Sequence, residues 1–492
     1  MNARGIRSAI QRPWARTGKS RGRTTGQGGT FSALRFRNYR LFWSGQLVSV
    51  TGTFMQGTAQ QWLVLTLTPN PLALGVVGAL QFGPMLIPFG GAVGDRWPRR
   101  SVLVATQSAA AILAFALFLL TVTHTVHLWH VYVLAFLLGT VNMVDMPTRQ
   151  AFVGEMVPAE YLLNAVSLNS AQFNASRIVG PGIAGAMIAL LGVPPLFLLN
   201  ALSFLAVILS LFWMRPAELV PMPRAAMGHG VARVRVLGEG FRFILHNPKM
   251  RVTILMVLVT GTMGFNFSVL LPLEAHGVLH AGPQIFGLLT SSLGAGALVG
   301  ALVLARRGGR PTNRQLVTMA GAFGICEAAV GLTRSVPATL ALIALTGFFM
   351  SSFSAAANTR TQLSSPPEIR GRVLSVYSMV FIGTTPFGNL IVSGVAASAG
   401  VNASWIVSGL PCLAIAVVAA FLWARQSGAP KAQSALVTAP EAERAPDGEI
   451  PAPPLMPRGA GMLGMSLGRT ADRSDDVTRD AQTFEPSVAH YD

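Results

Sequence analysis

The chain has 492 residues, of which 51% are apolar and only 11% charged, and its mean hydropathy is +0.51. A soluble globular chain carries about 25% charged residues, so water is excluded as the main solvent. The formal net charge of +18 suggests nucleic acid as a partner, but the cations are spread over loops and tails in the way a membrane protein sorts them, and a nucleic-acid role is set aside.

Residues 1–40 hold ten Lys or Arg and no acid, mixed with Gly, Ser and Thr. This stretch reads as a basic disordered cytosolic arm held against anionic lipid rather than as a transit peptide. Apolar runs follow at 41–67, 72–94, 101–122, 129–147, 165–190, 195–214, 252–273, 284–305, 315–333, 337–357, 373–397 and 404–424. Each is long enough to cross a hydrocarbon core about 30 Å thick as a helix, and the alternating pattern of a membrane barrel is absent. The expected fold is an all-α membrane protein of twelve transmembrane helices. It comprises an N-terminal six-helix bundle over 41–214, a cytosolic connector over 215–251, a C-terminal bundle over 252–425 and a disordered cytosolic tail over 426–492. The tail, with Pro451-Ala452-Pro453-Pro454, has too little apolar surface to fold.

The loops sort by charge. Arg96, Arg99 and Arg100 follow the second run, seven Lys or Arg lie from Arg215 to Arg251, Arg306 to Arg314 follow the eighth, and Arg360, Arg370 and Arg372 follow the tenth; the opposite loops hold a single cation, Arg334. Cations mark the cytosolic side, so both termini are expected there. Cys326 and Cys412 fall inside spans and imply no disulfide. His124, His127, His130, His276 and His280 fall in outward loops with no acid or Cys to complete a ligand set, so neither metal nor cofactor is expected. No phosphate-cradling loop or nucleophile elbow is present, which argues against an ATP-driven pump or an enzyme.

One direct repeat links the halves. Val157-Pro158-Ala159-Glu160 leads through Ser167, Ser170 and Phe173 to Gly180, and Ser365-Pro366-Pro367-Glu368 leads through Ser375, Ser378 and Phe381 to Gly388, each match 208 residues later. Parallel halves with substrate at their interface are a transporter architecture.

Charged and polar residues within or beside spans mark candidate sites, because the membrane penalises them. Span one carries Gln46, Ser49, Thr53, Gln56 and Gln60 on one face, as a helix lining a wet cavity would. Between spans two and three, Gly91 opens a loop in which Asp95 stands among Arg96, Arg99 and Arg100. An acid there can cap a helix and pair with Arg, latching one half against the other. Leu304 takes the place of Asp95 in the second half, so the latch is expected to be one-sided. Asn142, Asp145 and Arg149 share a face at the end of span four. Arg177 is the deepest cation, and Glu327 is read as the one acid deep in a second-half span. Gly180, Pro181 and Gly185 would let span five approach its neighbours closely and bend.

Gly91-Ala92-Val93-Gly94-Asp95-Arg96-Trp97-Pro98-Arg99-Arg100 resembles the signature of the major facilitator superfamily, with Pro98 where that pattern has Gly. Phe31 through Trp43, Asp145 through Phe152 and Arg177-Ile178-Val179-Gly180-Pro181 resemble the branch that includes the enterobactin exporter and related drug exporters, and Gly180-Pro181 resembles a motif that family antiporters carry. The resemblance covers about residues 31–425. It implies a cavity lined by spans one, four, seven and ten, which adds Asn266 and Asn358 as substrate-binding candidates. It also makes span nine peripheral, which ranks Glu327 below Asp145, Arg149 and Arg177 for coupling. The implied function is a bacterial inner-membrane secondary transporter: a monomeric, proton-coupled exporter of a siderophore, drug or lipophilic metabolite. An importer of the same fold, or a sensor or scaffold that has lost turnover, are the alternatives.

Overall fold

The computed structural model describes residues 29–86, 97–220 and 230–428. Gly91, Asp95 and Arg96 of the expected latch, most of the basic arm and the tail beyond residue 428 lie outside the described residues.

The described residues form helices α1 (Arg37–Leu67), α2 (Leu72–Phe82), α3 (Arg99–Val122), α4 (Leu128–Met156), α5 (Ala159–Leu191) and α6 (Pro194–Trp213), then α7 (Gly230–His246) within the connector. Next come α8 (Pro248–Val259), α9 (Phe267–Leu273), α10 (Pro283–Arg307), α11 (Asn313–Val330), α12 (Val336–Ser364), α13 (Arg370–Gly383), α14 (Thr385–Ala399) and α15 (Val401–Gly428). The boundaries follow local chemistry. Prolines open α6, α8 and α10, where a missing N–H costs nothing. Thr312 accepts from the Gln315 N–H at 3.2 Å to cap α11. Gly192, Gly308 and Gly400 end α5, α10 and α14 at φ of 78°, 58° and 90°, a backbone that side chains resist.

Nine helices among the described residues are long and apolar enough to cross a membrane, counting Pro248–Val278 and Arg370–Ala399 as one each. Three of the expected runs fall short of that standard for local reasons. The glutamines Gln46, Gln56, Gln60 and Gln61 dilute α1, Arg314 and Glu327 dilute α11, and α2 is described only as far as Leu86.

Span seven is broken. Between α8 and α9 the chain makes a π-helical turn over Thr260–Gly264 and leaves helical geometry at Phe265 and Asn266, and a second π-turn over Glu274–Val278 follows α9. Such π-turns are frequent at functional sites. Helix α5 by contrast runs through Gly180, Pro181 and Gly185 as one continuous helix.

The Phe31–Trp43 segment is a clasp. Tyr39 donates its hydroxyl to Ala165 O at 2.8 Å, and Asn38 exchanges two 3.0 Å hydrogen bonds with the Arg215 backbone. The Arg35 guanidinium lies 3.9 Å from the centre of the Tyr161 ring. A 3-10 turn, Ser32–Arg35, and an α1 starting at Arg37 therefore occupy the end of what reads as a disordered arm.

Three apolar clusters define how the helices group. One, at the end of the bundle with few cations, joins Leu63, Val77, Ala184 and Ile188 from α1, α2 and α5 to Val269, Phe286, Leu289 and Val392 from α9, α10 and α14. Trp62 stacks on Phe286 with centroids 6.0 Å apart and meets His276 edge-on. At the basic end the cores separate: Tyr39, Phe42, Leu103, Phe152 and Leu211 form one, Met250, Phe353, Val373, Tyr377 and Trp423 another. No apolar cluster of the described residues joins the two sets at that end.

Small residues make the crossings. A Cβ on Gly185 would lie 2.5 Å from Pro283 O of α10, and one on Gly287 would lie 2.5 Å from Pro181 O of α5, so these backbones touch. Ser291 also donates to Ile178 O at 2.6 Å. Gly75 and Gly78 of α2 face Asn389 and Ser393 of α14 in the same manner. The repeated glycines occupy matching contacts, Gly180 against Thr51 and Phe54 of α1, and Gly388 against Thr262 and Asn266 at the break.

Candidate functional site

Asp145 and Arg149 lie one turn apart on α4, as their spacing requires, and they form an ion pair. The Asp145 side chain is only 1% exposed, while that of Arg149 keeps 28%. A carboxylate sealed in this way is stable only if its lone pairs are satisfied. Its Oδ1 accepts from Thr106 Oγ1 at 2.7 Å and Gln107 Nε2 at 2.8 Å, both from α3, and its Oδ2 accepts from Arg149. Arg149 donates in turn to Gln46 Oε1 on α1 at 2.7 Å. One charge pair therefore ties three helices together, with Arg149 as its only partly open member.

The other candidates divide. Gln56 accepts from Asn200 Nδ2 at 2.7 Å, so it faces α6 and acts as interhelical glue. Gln60 is buried, Thr53 bonds its own helix at Ser49 O, and Asn142 is half-buried beside the ion pair. The span-one stripe therefore serves packing in part, because a polar side chain near the middle of a bundle finds neighbouring helices as readily as a cavity. Asn266 is fully buried and consumed by the break, its Nδ2 donating to Thr262 O at 2.8 Å and Met263 O at 2.7 Å. Asn358 is half-buried and accepts from Gln362. Arg177 makes no ion pair among the described residues. It donates to Asn174 Oδ1 at 3.1 Å on its own helix, and its Nε is buried without a partner. The structure thus brings Asp145 and Arg149 together and keeps Arg177 apart from them.

Of the latch, Arg99 and Arg100 are described. Arg99 donates to Glu155 Oε1 at 2.7 Å, joining the start of α3 to the end of α4, and Arg100 Nε donates to Leu211 O at 2.8 Å, capping α6. Glu155 is a partner that the sequence reading passes over; an acid at the basic end of a span, facing a loop rich in Arg, is the signal for it.

Glu327 is fully buried, with Oε1 3.0 Å from Ser408 Oγ on α15. It is not the sole such acid. Glu274 is also fully buried, and Trp405 Nε1 donates to its Oε2 at 2.8 Å. Ending span seven at residue 273 places Glu274 outside the membrane; the π-turn carries the helix onward and buries it. An aromatic file was also missed: Phe265 meets Phe323 and Phe381 edge-on at 5.6 and 5.3 Å, and Phe381 stacks on Tyr377.

A multi-pass helical bundle with its halves crossing on glycines and its polar groups knotted inside is the build of a membrane transporter. A family model described as a transmembrane secretion effector, within the major facilitator superfamily, matches residues 28–447, and the chain belongs to that family. Among curated relatives, the staphyloferrin A transporter of Staphylococcus aureus is 25% identical over 78% of this chain and 96% of its own length. The multidrug efflux pump Tap of Mycolicibacterium fortuitum is 29% identical over 76% and 93%. The enterobactin exporter EntS of Escherichia coli is 24% identical over 77% and 90%. The solved structure of the nucleoside transporter NupG superposes with a TM-score of 0.63 over 78% of this chain and 99% of that one, at 11% identity, and so speaks for the fold alone.

Proposed function

We propose that this transporter is a proton-coupled exporter of the inner membrane, moving a siderophore, drug or lipophilic metabolite by rocking two six-helix bundles, residues 41–214 and 252–425, about a central site. The observation that carries this reading is the asymmetry of closure. Among the described residues an apolar seal joins the two helix sets at the cation-poor end, while their cores stay separate at the basic end. With the basic end cytosolic, as cation sorting implies, and both termini there, this is an inward-opening conformation. Glycine crossings between α5 and α10 and between α2 and α14 supply close surfaces on which the sets can pivot.

Coupling is assigned to the Asp145–Arg149 pair. A driving ion shifts a conformational equilibrium only through its different affinity for the two states. In this conformation Asp145 is fully occupied as a carboxylate by three donors. Coupling then needs α1, α3 and α4 to shift against one another within the first bundle as it rocks, which would take donors from Asp145 and release Arg149 from Gln46 toward the substrate. Export rather than import rests on the names of the relatives, a siderophore exporter and drug efflux pumps among them.

The test compares cells with and without the gene for retention of siderophores, drugs and lipophilic metabolites. Lower retention of at least one class when the gene is present, reversed by a protonophore, is the expected result. Higher retention would make the chain an importer, and unchanged retention across all classes would favour the sensor or scaffold.

A further inference from the structure

Helices α11 and α15 touch backbone to backbone, since a Cβ on Gly324 would lie 2.6 Å from Gly409 O. That approach sets Glu327 of α11 against Ser408 of α15, and both are fully buried. The same Ser408 hydroxyl reaches across to the break in span seven, where its oxygen contacts Met263 O as well as Glu327 Oε1. One turn before Glu327, Phe323 packs over Gly264, the last residue of the π-turn. The face of α11 that carries Glu327 therefore abuts the break through a ring and through a shared hydroxyl.

Proton counting decides the arrangement. A serine hydroxyl has one hydrogen, and a peptide carbonyl can only accept. Met263 O can only accept, so if the Ser408 proton goes to it, the 3.0 Å contact between Ser408 Oγ and Glu327 Oε1 needs its hydrogen from the glutamate. An ionised Glu327 would instead claim the Ser408 proton and leave two oxygens facing each other at Met263. No Lys or Arg among the described residues pairs with Glu327, and its Oε2 has no hydrogen-bond partner, so nothing balances a charge there. The other titratable groups nearby are Cys412, which donates to Ser408 O at 3.3 Å, and Glu274 on Trp405. The indole of Trp405 only donates, so that contact places no proton on Glu274.

We propose that Glu327 is a positioning residue that carries a fixed proton: as a neutral donor it holds Ser408 turned toward Met263, and so fixes the broken segment of span seven from the rear. This is separate from the coupling assigned to Asp145 and does not rest on it. The chain is Glu327 O–H to Ser408 Oγ and Ser408 O–H to Met263 O, where the Asn266 amide shares the same carbonyl.

The test is infrared spectroscopy of the purified full-length protein in lipid nanodiscs at neutral pH, wild type against Glu327→Gln, with thermal unfolding measured alongside. Gln keeps both the shape and a donor to Ser408. Expected are a protonated-carboxyl band present in the wild type and lost in Glu327→Gln, a shift of that band in Ser408→Ala, and wild-type unfolding for Glu327→Gln but earlier unfolding for Glu327→Ala. A carboxylate band lost in its place, Gln as harmful as Ala, or Ala as harmless as Gln would each overturn the proposal. Neither readout needs a transported substrate, so the outcome stands apart from the export reading.

Discussion

Replacing Asp145 by Ala is expected to lower thermal stability markedly and to abolish transport. The change strips Arg149 of its counter-ion and Thr106 and Gln107 of their acceptor, inside a site where the acid is 1% exposed. Breaking a buried pair by removing one partner costs about 3–5 kcal/mol, mostly from the charge left unpaired. Because Arg149 keeps 28% exposure and can turn to water, the lower end of that range applies. The double variant Asp145→Asn with Arg149→Gln separates stability from coupling. It keeps amide hydrogen bonds across the same atoms without charge, so folding should return while gradient-driven transport stays lost. Full transport by the double variant would show that the pair is only a brace.

Gly388→Ala is expected to be nearly as damaging, although it adds one methyl group far from any charge. A Cβ there would overlap Thr262 O and lie 2.6 Å from Asn266 Oδ1, at the turn where span seven is already broken. Backbone cannot swing aside as a flexible side chain can, so α14 must move away from α8 and α9. Overpacking a tight interior costs about 1–3 kcal/mol, and here the displaced element also carries Asn389 against Gly75 and Gly78 of α2. Gly394→Ala, on the same helix but with open space around it, is the matched control and should behave as wild type in unfolding and transport. Equal behaviour of the two variants would refute the claim that this crossing is tight.

Much of this architecture is legible in the sequence because membranes impose few choices. Apolar length gives helices, and the 208-residue repeat points to Gly180 and Gly388 as equivalent, a match their crossings uphold. The Asp145 and Arg149 pair was legible for the same reason, since one turn of helix puts the two groups together whatever surrounds them. What was not legible depends on contacts between distant segments. Nothing local tells that Gln56 turns to Asn200, or that Asn266 spends its amide on its own helix. Glu274 was hidden by a boundary error of one turn, because an acid after a proline-containing apolar run reads as the start of a loop. The Phe31–Trp43 motif carried the family resemblance, while its physical work, clasping α1 to α5 and α6, appears only in three dimensions.

The account stands most directly on alternating closure of the two ends, which paired spin labels can measure in nanodiscs. Glu160 and Arg310 are exposed at the basic end on opposite helix sets, and Asn70 and His280 are exposed at the other. With Cys326 and Cys412 replaced by Ala, one labelled pair at each end reports its separation across a pH series. The account predicts two populations whose distances change in opposite senses, the basic-end pair drawing together as the other pair parts, with pH shifting the balance between them. A single unchanging distance at both ends across the whole series would contradict it.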